Sequence, residues 1–202
     1  MKKKELEIFL EKIPKPVNPK PNLEQYMTPS VIASDILFIA YQFGDIFEKT
    51  VCDLGCGTGI FSIGAEILGA KKVIGIDIDK EVLKIAKDFT NQNNLDIRYL
   101  NKDIEKINLN CDTVIMNPPF GAQKSNLKAD RRFIEKAFEI SKTVYTIHLK
   151  NTSHFIEKIV NSLKGKIEFT KGYKFPIKWM FEFHRKNVQY CNVLLYKINT
   201  NS

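Results

Sequence analysis

The chain has 202 residues, of which 44% are hydrophobic and 27% are charged. This length and balance suit one well-buried α/β domain and leave little room for a second. The longest apolar stretches reach about ten residues, which is too short for a membrane-spanning helix. Residues 1–5 have no apolar segment behind them that ends in a small-residue cleavage site, so we expect a cytoplasmic protein.

The formal net charge is +8, and lysine supplies most of it. A basic balance favours an anionic partner, of which nucleic acid is the commonest large one, although a solvated lysine-rich surface would give the same charge. The distribution favours nucleic acid, because residues 164–186 contain seven Lys or Arg against two Glu, interleaved with aromatic residues. Single-stranded RNA binding uses this combination, with cations for phosphates and rings for stacking.

The four cysteines stand at positions 52, 56, 111 and 191, and no Cys-x-x-Cys pair occurs. This spacing lacks the pairs that zinc sites use and argues against a disulfide framework. We therefore predict no metal site and interpret Cys52 and Cys56 as small packed thiols near the end of a strand.

Two segments precede the predicted core. Residues 1–12 are amphipathic and predict a helix. Residues 13–22 contain four prolines, which excludes a helix or a central strand and predicts an extended connector. We therefore assign residues 1–22 to an N-terminal helix and proline-rich connector, and residues 23–202 to a single domain. Residues 23–28 form a short segment of that domain, and residues 30–43 predict a helix with Pro29 near its start.

From residue 50 onward, strand and helix patterns alternate. The predicted strands cover residues 51–54, 73–77, 97–100, 113–116, 143–147, 166–175 and 188–197. The predicted helices cover residues 59–68, 81–91, 129–141 and 153–163. The alternation indicates βαβ units and hence an α/β, Rossmann-like fold, with a mostly parallel seven-stranded sheet between helices on both faces. Because no helix separates the last two strands, we expect the C-terminal strand to be antiparallel.

A glycine-rich turn, Asp53-Leu-Gly-Cys-Gly-Thr-Gly59, lies between the first predicted strand and the next helix. Gly55, Gly57 and Gly59 allow tight turning and close approach of the backbone to a ligand. Asp77 ends the second strand, where a carboxylate accepts both ribose hydroxyls in dinucleotide-type folds. The turn and Asp77 together predict a nucleoside-containing cofactor.

The spacing of the glycines distinguishes between such cofactors. The glycines run G-x-G-x-G, whereas the dinucleotide fingerprint needs G-x-G-x-x-G. Asp53 opens the turn, and a carboxylate there suits a ligand that has a cationic end and no pyrophosphate. S-adenosylmethionine, with its sulfonium and ammonium groups, is such a ligand, and Asp103 could accept from its adenine amino group. We predict S-adenosylmethionine, with a nicotinamide or flavin nucleotide as the main alternative.

Residues 117–120, Asn-Pro-Pro-Phe, directly follow the fourth predicted strand. The Asn117 side-chain oxygen and the Pro118 carbonyl can each accept one N–H of an exocyclic amine, which localises the nitrogen lone pair toward a methyl donor. Pro118 and Pro119 fix the backbone in advance, and Phe120 offers a face for an unpaired base. The motif predicts binding of a planar amine such as adenine N6. The alternative interpretation is a proline turn that merely ends a strand.

With both loops in place, the chain resembles the class I S-adenosylmethionine-dependent methyltransferases that act on amino groups. It is most similar to the small family of rRNA adenine-N6 methyltransferases shared by archaea and eukaryotes, whose eukaryotic member acts on small-subunit rRNA. The matching blocks are Leu-Glu-Gln-Tyr-x-Thr-Pro at 23–29, Asp-Leu-Gly-Cys-Gly at 53–57, Ile-Asp-Ile-Asp at 76–79, Asp-Thr-Val-Ile-Met-Asn-Pro-Pro-Phe-Gly at 112–121 and Phe-His-Arg-Lys at 183–186.

The resemblance implies roles for individual residues. Those that would hold the cofactor are Gln25 and Thr28, folded over it, then Gly55, Thr58 and Ile60 at its methionine end, Asp77 at the ribose and Asp103 at the adenine. Residues 117–120 would hold the target base, and His184, Arg185 and Lys186 would face RNA phosphates. The resemblance also implies a small zinc-ribbon activator subunit that covers an apolar sheet edge.

We therefore predict methyl transfer to N6 of an adenosine in small-subunit rRNA, and three alternatives stay open. The first is a protein glutamine-N5 methyltransferase of the release-factor type, which binds its planar amide with the same kind of Asn-Pro-Pro loop, usually with Tyr where this chain has Phe120. The second is a DNA adenine methyltransferase, which normally has a sizeable target-recognition domain. The third is a non-catalytic RNA-binding or ribosome-assembly module that keeps the fold but not the transfer.

Overall fold

The computed structural model describes residues 1–17, 19–20, 23–120, 129–178 and 188–200. The helices of this part are α1 (Lys3–Leu10), α2 (Ser30–Gln42), α3 (Ile60–Ile67), α4 (Lys80–Gln92), α5 (Ala129–Ile140) and α6 (Ser153–Ser162). The strands are β1 (Thr50–Leu54), β2 (Lys72–Asp77), β3 (Ile97–Asn101), β4 (Cys111–Met116), β5 (Ser141–Leu149), β6 (Lys166–Lys178) and β7 (Val188–Asn199). None of these helices is both long and apolar enough to cross a membrane.

The seven strands form one sheet in the order β3-β2-β1-β4-β5-β7-β6. Strands β1 to β5 pair in parallel, and β7 runs antiparallel to both β5 and β6. The predicted α/β, Rossmann-like fold with an antiparallel C-terminal strand is confirmed. The strand order reverses between β1 and β4, and ligands of open α/β sheets bind at the carboxyl ends of strands at such a point.

Helices cover both faces of the sheet, which is why the inner strands are continuous apolar runs. Helices α1, α2 and α3 share a buried cluster with Val51 of β1, whereas α5 and α6 share a second cluster with its neighbour Cys52. Successive strand residues point to opposite faces, so each inner strand contributes to both clusters. This two-sided core holds the carboxyl ends of β1, β2 and β4 in fixed positions.

Helix α1 is part of this core. Leu6 is completely buried and Leu10 is 2% exposed, and burying a leucine side chain stabilises the fold by about 1.5–3 kcal/mol. The domain boundary after residue 22 stays a prediction, but the packing of α1 shows that the N-terminal helix shares the core of the following chain.

An ionic cluster around Asp35 of α2 joins α1, α2 and β6. The Asp35 carboxylate accepts from Lys3 Nζ at 2.8 Å, Lys171 Nζ at 2.6 Å and Tyr173 Oη at 2.7 Å. Burial by itself raises the pKa of Asp35, but the hydrogen bonds from the two lysines and the tyrosine outweigh it and lower that pKa to about 2. The carboxylate therefore stabilises the attachment of α1 and β6 at neutral pH.

A buried histidine connects β5 to the start of α5. His148 has no exposed surface, and its two ring nitrogens lie 2.7 Å from Asp130 Oδ1 and 2.8 Å from Thr146 Oγ1. The hydrogen bond to Asp130 fixes the first turn of α5, which is the first described segment after the Asn-Pro-Pro-Phe loop. Histidine serves here because its ring presents a polar atom on each side.

Candidate active site

The glycine-rich turn is fastened to the end of β2. The backbone N–H groups of Gly55 and Cys56 both donate to the Ile76 carbonyl, at 2.8 and 3.0 Å. Gly59 begins α3 in the left-handed region, with φ +88°, and a Cβ atom there would lie 2.6 Å from Tyr99 Oη. Both the conformation and the lack of space therefore require glycine at position 59.

Asp53 is a buried carboxyl at the end of β1. Its Oδ2 accepts from Ser62 N at 2.9 Å and from Ser62 Oγ at 2.7 Å. Only 1% of the residue is exposed, and burial raises the pKa of Asp53 to about 7, although the two hydrogen bonds from Ser62 act in the opposite direction. A buried carboxyl with a strongly shifted pKa beside a cavity is a candidate for pairing with a cationic ligand.

Asp77 is held by backbone at the end of β2. Its Oδ2 accepts from Gly57 N at 2.8 Å, and its Oδ1 accepts from Asp79 N at 2.9 Å. Burial raises the pKa of Asp77, and the backbone hydrogen bonds oppose that rise. Each carboxylate oxygen keeps a further lone pair, so the group can accept two hydroxyls at once.

The adenine end of the predicted cofactor site has one acid and two apolar side chains. Asp103 Oδ1 accepts from Glu105 N at 3.1 Å, which caps the short helix Ile104–Lys106. Ile78 and Ile104 also line the cavity, and Ile78 is 56% exposed, as expected of a side chain that a flat ring would cover. The sequence analysis did not predict either isoleucine. Each could have been found as the apolar residue that directly follows a predicted acid, Asp77 or Asp103.

A cavity of ≈ 190 Å³ lies at the carboxyl ends of β1, β2, β3 and β4. The residues predicted to hold the cofactor that line it are Gln25, Thr28, Asp53, Gly55, Gly57, Thr58, Ile60, Asp77 and Asp103. Gly59 is absent from this lining because it lies at the start of α3 behind the turn. Asn117 and Pro119 line the cavity as well. The structure therefore brings the glycine-rich turn (residues 53–59, the cofactor loop) close to residues 117–120, called the acceptor loop below.

Residues 23–29 are called the strap below, and residues 23–28 of it line the cavity. Gln25 fastens the strap: its Nε2 donates to Asp79 Oδ2 at 2.8 Å, and its Oε1 accepts from Lys20 N at 2.8 Å. Lys20 Nζ also lies 2.8 Å from Asp79 Oδ1. Gln25 thus lines the cavity, but its amide binds protein groups and positions the strap, and its contact with the cofactor stays a prediction.

Asn117 is held through one side of its amide. Its Nδ2 donates to Thr28 Oγ1 at 3.0 Å. Its Oδ1 is buried and accepts no hydrogen bond from any residue that the structure describes. Leaving a buried acceptor unsatisfied costs about 1–3 kcal/mol, so the arrangement reserves an acceptor for a ligand donor.

Phe120 is only 7% exposed. Its ring stacks on Tyr26 of the strap, with ring centres 6.1 Å apart and planes 18° apart, and meets the edge of Phe175 at 5.6 Å. Pro118 and Phe120 lie outside the cavity lining. The stacking of a target base on Phe120 stays a prediction. In the structure, Tyr26, to which the sequence analysis gave no role, covers one face of the Phe120 ring.

The basic aromatic stretch is described only to residue 178, so His184, Arg185 and Lys186 lie outside the described residues. Within the described part, Phe175 is fully buried and Tyr173 bonds to Asp35. Phe175 packs inside the protein and half-buried Tyr173 contacts α2, so these two rings do not support the argument that this stretch offers rings to RNA.

The acidic and apolar side chains that line the cavity fit S-adenosylmethionine. Its cationic amino acid end matches Asp53, a buried carboxyl that no ion pair among the described residues neutralises. Its ribose matches Asp77, and its adenine matches the apolar pair Ile78 and Ile104 beside Asp103. The glycine turn uses two of its N–H groups on the Ile76 carbonyl and a third on Asp77, so these three groups are not available to a phosphate of the dinucleotide type.

Comparison with known proteins gives a family and close relatives. The family model described as "Methyltransferase small domain" matches residues 32–164. An uncharacterized protein of Methanocaldococcus jannaschii is 42% identical over 98% of this chain and 94% of its own length. The rRNA N(6)-adenosine-methyltransferase METTL5 of Danio rerio is 37% identical over 92% of this chain and 93% of its own length.

A crystal structure from Pyrococcus horikoshii, provisionally described as an RNA methyltransferase, superposes with a TM-score of 0.91 at 41% identity, covering 98% of both chains. This match extends over the strap, the sheet and the C-terminal strands. The chain belongs to the methyltransferase small domain family and, within it, to the group that includes the zebrafish rRNA N(6)-adenosine-methyltransferase.

Proposed function

We propose that this protein transfers a methyl group to N6 of an adenosine in small-subunit rRNA. S-adenosylmethionine is the methyl donor of this methyltransferase. The observation that supports the acceptor best is the buried Oδ1 of Asn117, which lies at the wall of the cavity that holds the cofactor residues and has no hydrogen-bond partner among the described residues. The name of the zebrafish relative supports rRNA adenosine as the substrate.

The loop at residues 117–120 acts on the nitrogen of the target base. An exocyclic adenine amine is a poor nucleophile because its lone pair is delocalised into the ring. Asn117 Oδ1 and the Pro118 carbonyl each accept one N–H, which draws the nitrogen toward tetrahedral geometry and localises the lone pair. The two prolines fix the Pro118 carbonyl and the backbone that carries Asn117 before the base arrives.

The cofactor residues would hold the other reactant in the cavity beside this loop. Bound S-adenosylmethionine supplies an electrophilic methyl group. Asp53 neutralises the cationic end, and Asp77 and Asp103 orient the nucleoside through their free lone pairs. No strong base is needed, because the methylated ammonium product loses its extra proton easily to water.

Total rRNA incubated with tritiated cofactor tests the proposal. We expect label in small-subunit rRNA, and digestion to nucleosides should give N6-methyladenosine. In a strain that lacks the gene, mass spectrometry should show less N6-methyladenosine in that rRNA, and an unchanged level would reject the proposal. Label in a protein glutamine would favour the release-factor type, and RNA binding without any label would favour the assembly module.

Asn117→Ala separates chemistry from cofactor binding. The variant should lose methyl transfer, because one of the two acceptors is gone, while the cofactor Kd stays within about twofold of the wild type. Asn108→Ala is the matched control, because Asn108 is exposed and lies outside the cofactor cavity. Unchanged transfer in Asn117→Ala would contradict the assigned role, whereas loss of both transfer and cofactor binding would indicate misfolding.

His184, Arg185 and Lys186 belong to the proposal as contacts to RNA phosphates. Replacing all three with Ala should weaken RNA binding and flatten its dependence on salt, by about 0.7 in the log–log slope for each lost phosphate contact. The control replaces Lys84 and Lys87, two exposed lysines of α4, and removes the same formal charge. An equal loss in both variants would show a general charge effect and remove residues 184–186 from the interface.

The resemblance also suggests a small zinc-ribbon activator subunit, which is part of this proposal, and the expected cytoplasmic location is a further part of it. Strands β3 and β6 are the edges of the sheet within the described residues, and an edge strand can pair with a partner chain. Purification of the tagged protein from its own cells, followed by zinc analysis, tests the partner. Full activity of the chain purified alone would argue that no activator is needed.

A further inference from the structure

The strap reaches the acceptor loop through one hydrogen bond. Thr28 Oγ1 lies 3.0 Å from Asn117 Nδ2, although 89 residues separate the two in sequence. Thr28 is 4% exposed, and the chain is fixed both before and after it in sequence. Gln25 ties the strap to Asp79 upstream, and α2 begins at Ser30 downstream.

The orientation of an asparagine amide determines what it can bind. One side of the group donates and the other accepts, and a rotation of about 180° about the last side-chain torsion exchanges them. A target amine presents N–H groups, so it needs the oxygen side. If Nδ2 pointed at that amine instead, two donors would face each other and the lone pair would not be localised.

We propose that Thr28 is a positioning residue for methyl transfer, which holds Asn117 so that Nδ2 is engaged and Oδ1 is left for the substrate amine. The inference rests on the proposed function and deepens it. It differs from the cofactor contact that the family resemblance implies for Thr28. The hydroxyl meets the amide of the acceptor loop, and Oδ1 has no partner among the described residues.

The two roles of Thr28 predict different kinetic effects. A cofactor contact, when removed, raises the cofactor Kd and leaves the rate at saturating cofactor nearly unchanged. A positioning residue, when removed, lowers the rate of transfer at saturation and leaves the Kd nearly unchanged, because the lost interaction acts in the transition state. Single-turnover rates together with calorimetric Kd values separate these effects.

Thr28→Val tests the hydroxyl, because valine keeps the shape of the side chain and removes its polar atom. We expect a single-turnover rate at least about tenfold below the wild type, with a cofactor Kd within about twofold. Thr28→Ser is the matched control, since it keeps the hydroxyl and loses only a methyl group, and its rate should stay within about threefold of the wild type. A Thr28→Val rate within about twofold of the wild type would overturn the inference.

A spectroscopic measurement distinguishes positioning from a loss of fold. The side-chain ¹⁵NH₂ signal of Asn117 is identified by its absence in Asn117→Ala. Its exchange with solvent should be slow in the wild type and in Thr28→Ser, and about tenfold faster in Thr28→Val, because the hydrogen bond protects it. Equal exchange in all three proteins would overturn the inference even if activity fell.

The wild-type assay separates this inference from the proposed function. If the wild-type protein labels a protein glutamine and not rRNA, the proposed function fails, and the Thr28 variants are compared on that amide substrate. If the wild-type protein labels rRNA adenosine while Thr28→Val behaves as the wild type, the function stands and the inference about Thr28 fails.

Discussion

Cofactor binding should depend on pH through Asp53. This carboxyl is 1% exposed, and burial raises its pKa to about 7. A cationic ligand needs the ionised form, so the apparent Kd should rise by the factor 1 + 10^(7 − pH) as the pH falls below about 7. We therefore expect the Kd to be about eightfold lower at pH 7.5 than at pH 6.

Calorimetry between pH 5.5 and pH 7.5 measures this effect. The α-amino group of the cofactor titrates at a pKa of about 7.7–8.0, so higher pH would mix two titrations. Near pH 6, binding should also release close to one proton, which appears as a dependence of the heat on the buffer. No described histidine lines the cavity, so histidine titration in that lining does not compete with this interpretation.

Asp53→Asn provides the control. Its side-chain oxygen can still accept from Ser62, so the turn should keep its shape, while the pH dependence should disappear. Asp77→Asn should weaken binding at every pH and move the pH dependence to lower pH, because the Asp77 charge contributes to the raised pKa of Asp53. A flat Kd for the wild type, or the same slope in Asp53→Asn, would refute the reasoning.

The same carboxyl affects stability. Its folded-state pKa lies above its unfolded value, so the folded protein binds more protons between pH 4 and pH 7. The free energy of unfolding should therefore fall as the pH rises through this range, by at most about 4 kcal/mol for a pKa raised from 3.8 to about 7. Asp53→Asn should remove this fall.

Three further predictions concern stability, measured as urea unfolding with circular dichroism. Asp35→Asn should lower the free energy of unfolding by about 1–2 kcal/mol at pH 7. Because the pKa of Asp35 is lowered to about 2, the difference from the wild type should vanish as the pH falls from 4 to 2. A difference that stays constant with pH would contradict the ionic role. Gly59→Ala should lower the free energy of unfolding more than Gly57→Ala, since both glycines have positive φ but, among the described residues, only a Cβ at position 59 would meet another side chain. Equal losses would show that the contact with Tyr99 is unimportant. His148→Leu should cost at least about 1–3 kcal/mol, because two polar partners lose their hydrogen bonds, and a neutral change would show that water replaces the ring.

The overall fold follows from local patterns. The alternation of apolar strands and amphipathic helices predicts a parallel sheet, and the missing helix between the last two strands predicts the antiparallel pair. The strand boundaries were less accurate. Strand β6 continues to Lys178 through Pro176, which is tolerated because β6 is an edge strand and its free side needs no N–H donor.

The cofactor loop was also predictable, because glycine positions and strand-end acids are local features. Gly59, Asp53 and Asp77 have distinctive backbone or electrostatic requirements that do not depend on distant contacts. The apolar part of the site was missed. An isoleucine such as Ile78 looks like any other apolar residue until the fold leaves it 56% exposed beside a cavity.

The sequence by itself determined the fold class, the glycine turn and the order of the two loops, because these depend on neighbours within a few residues. Only the tertiary structure decided that Asn117 points its donor at Thr28, across 89 residues, and that Tyr26 covers Phe120. Contacts of this kind depend on the path that brings the strap to the cavity at the ends of β1, β2 and β4. That path is set by burial and hydrogen bonding of the whole chain, and no local pattern encodes it.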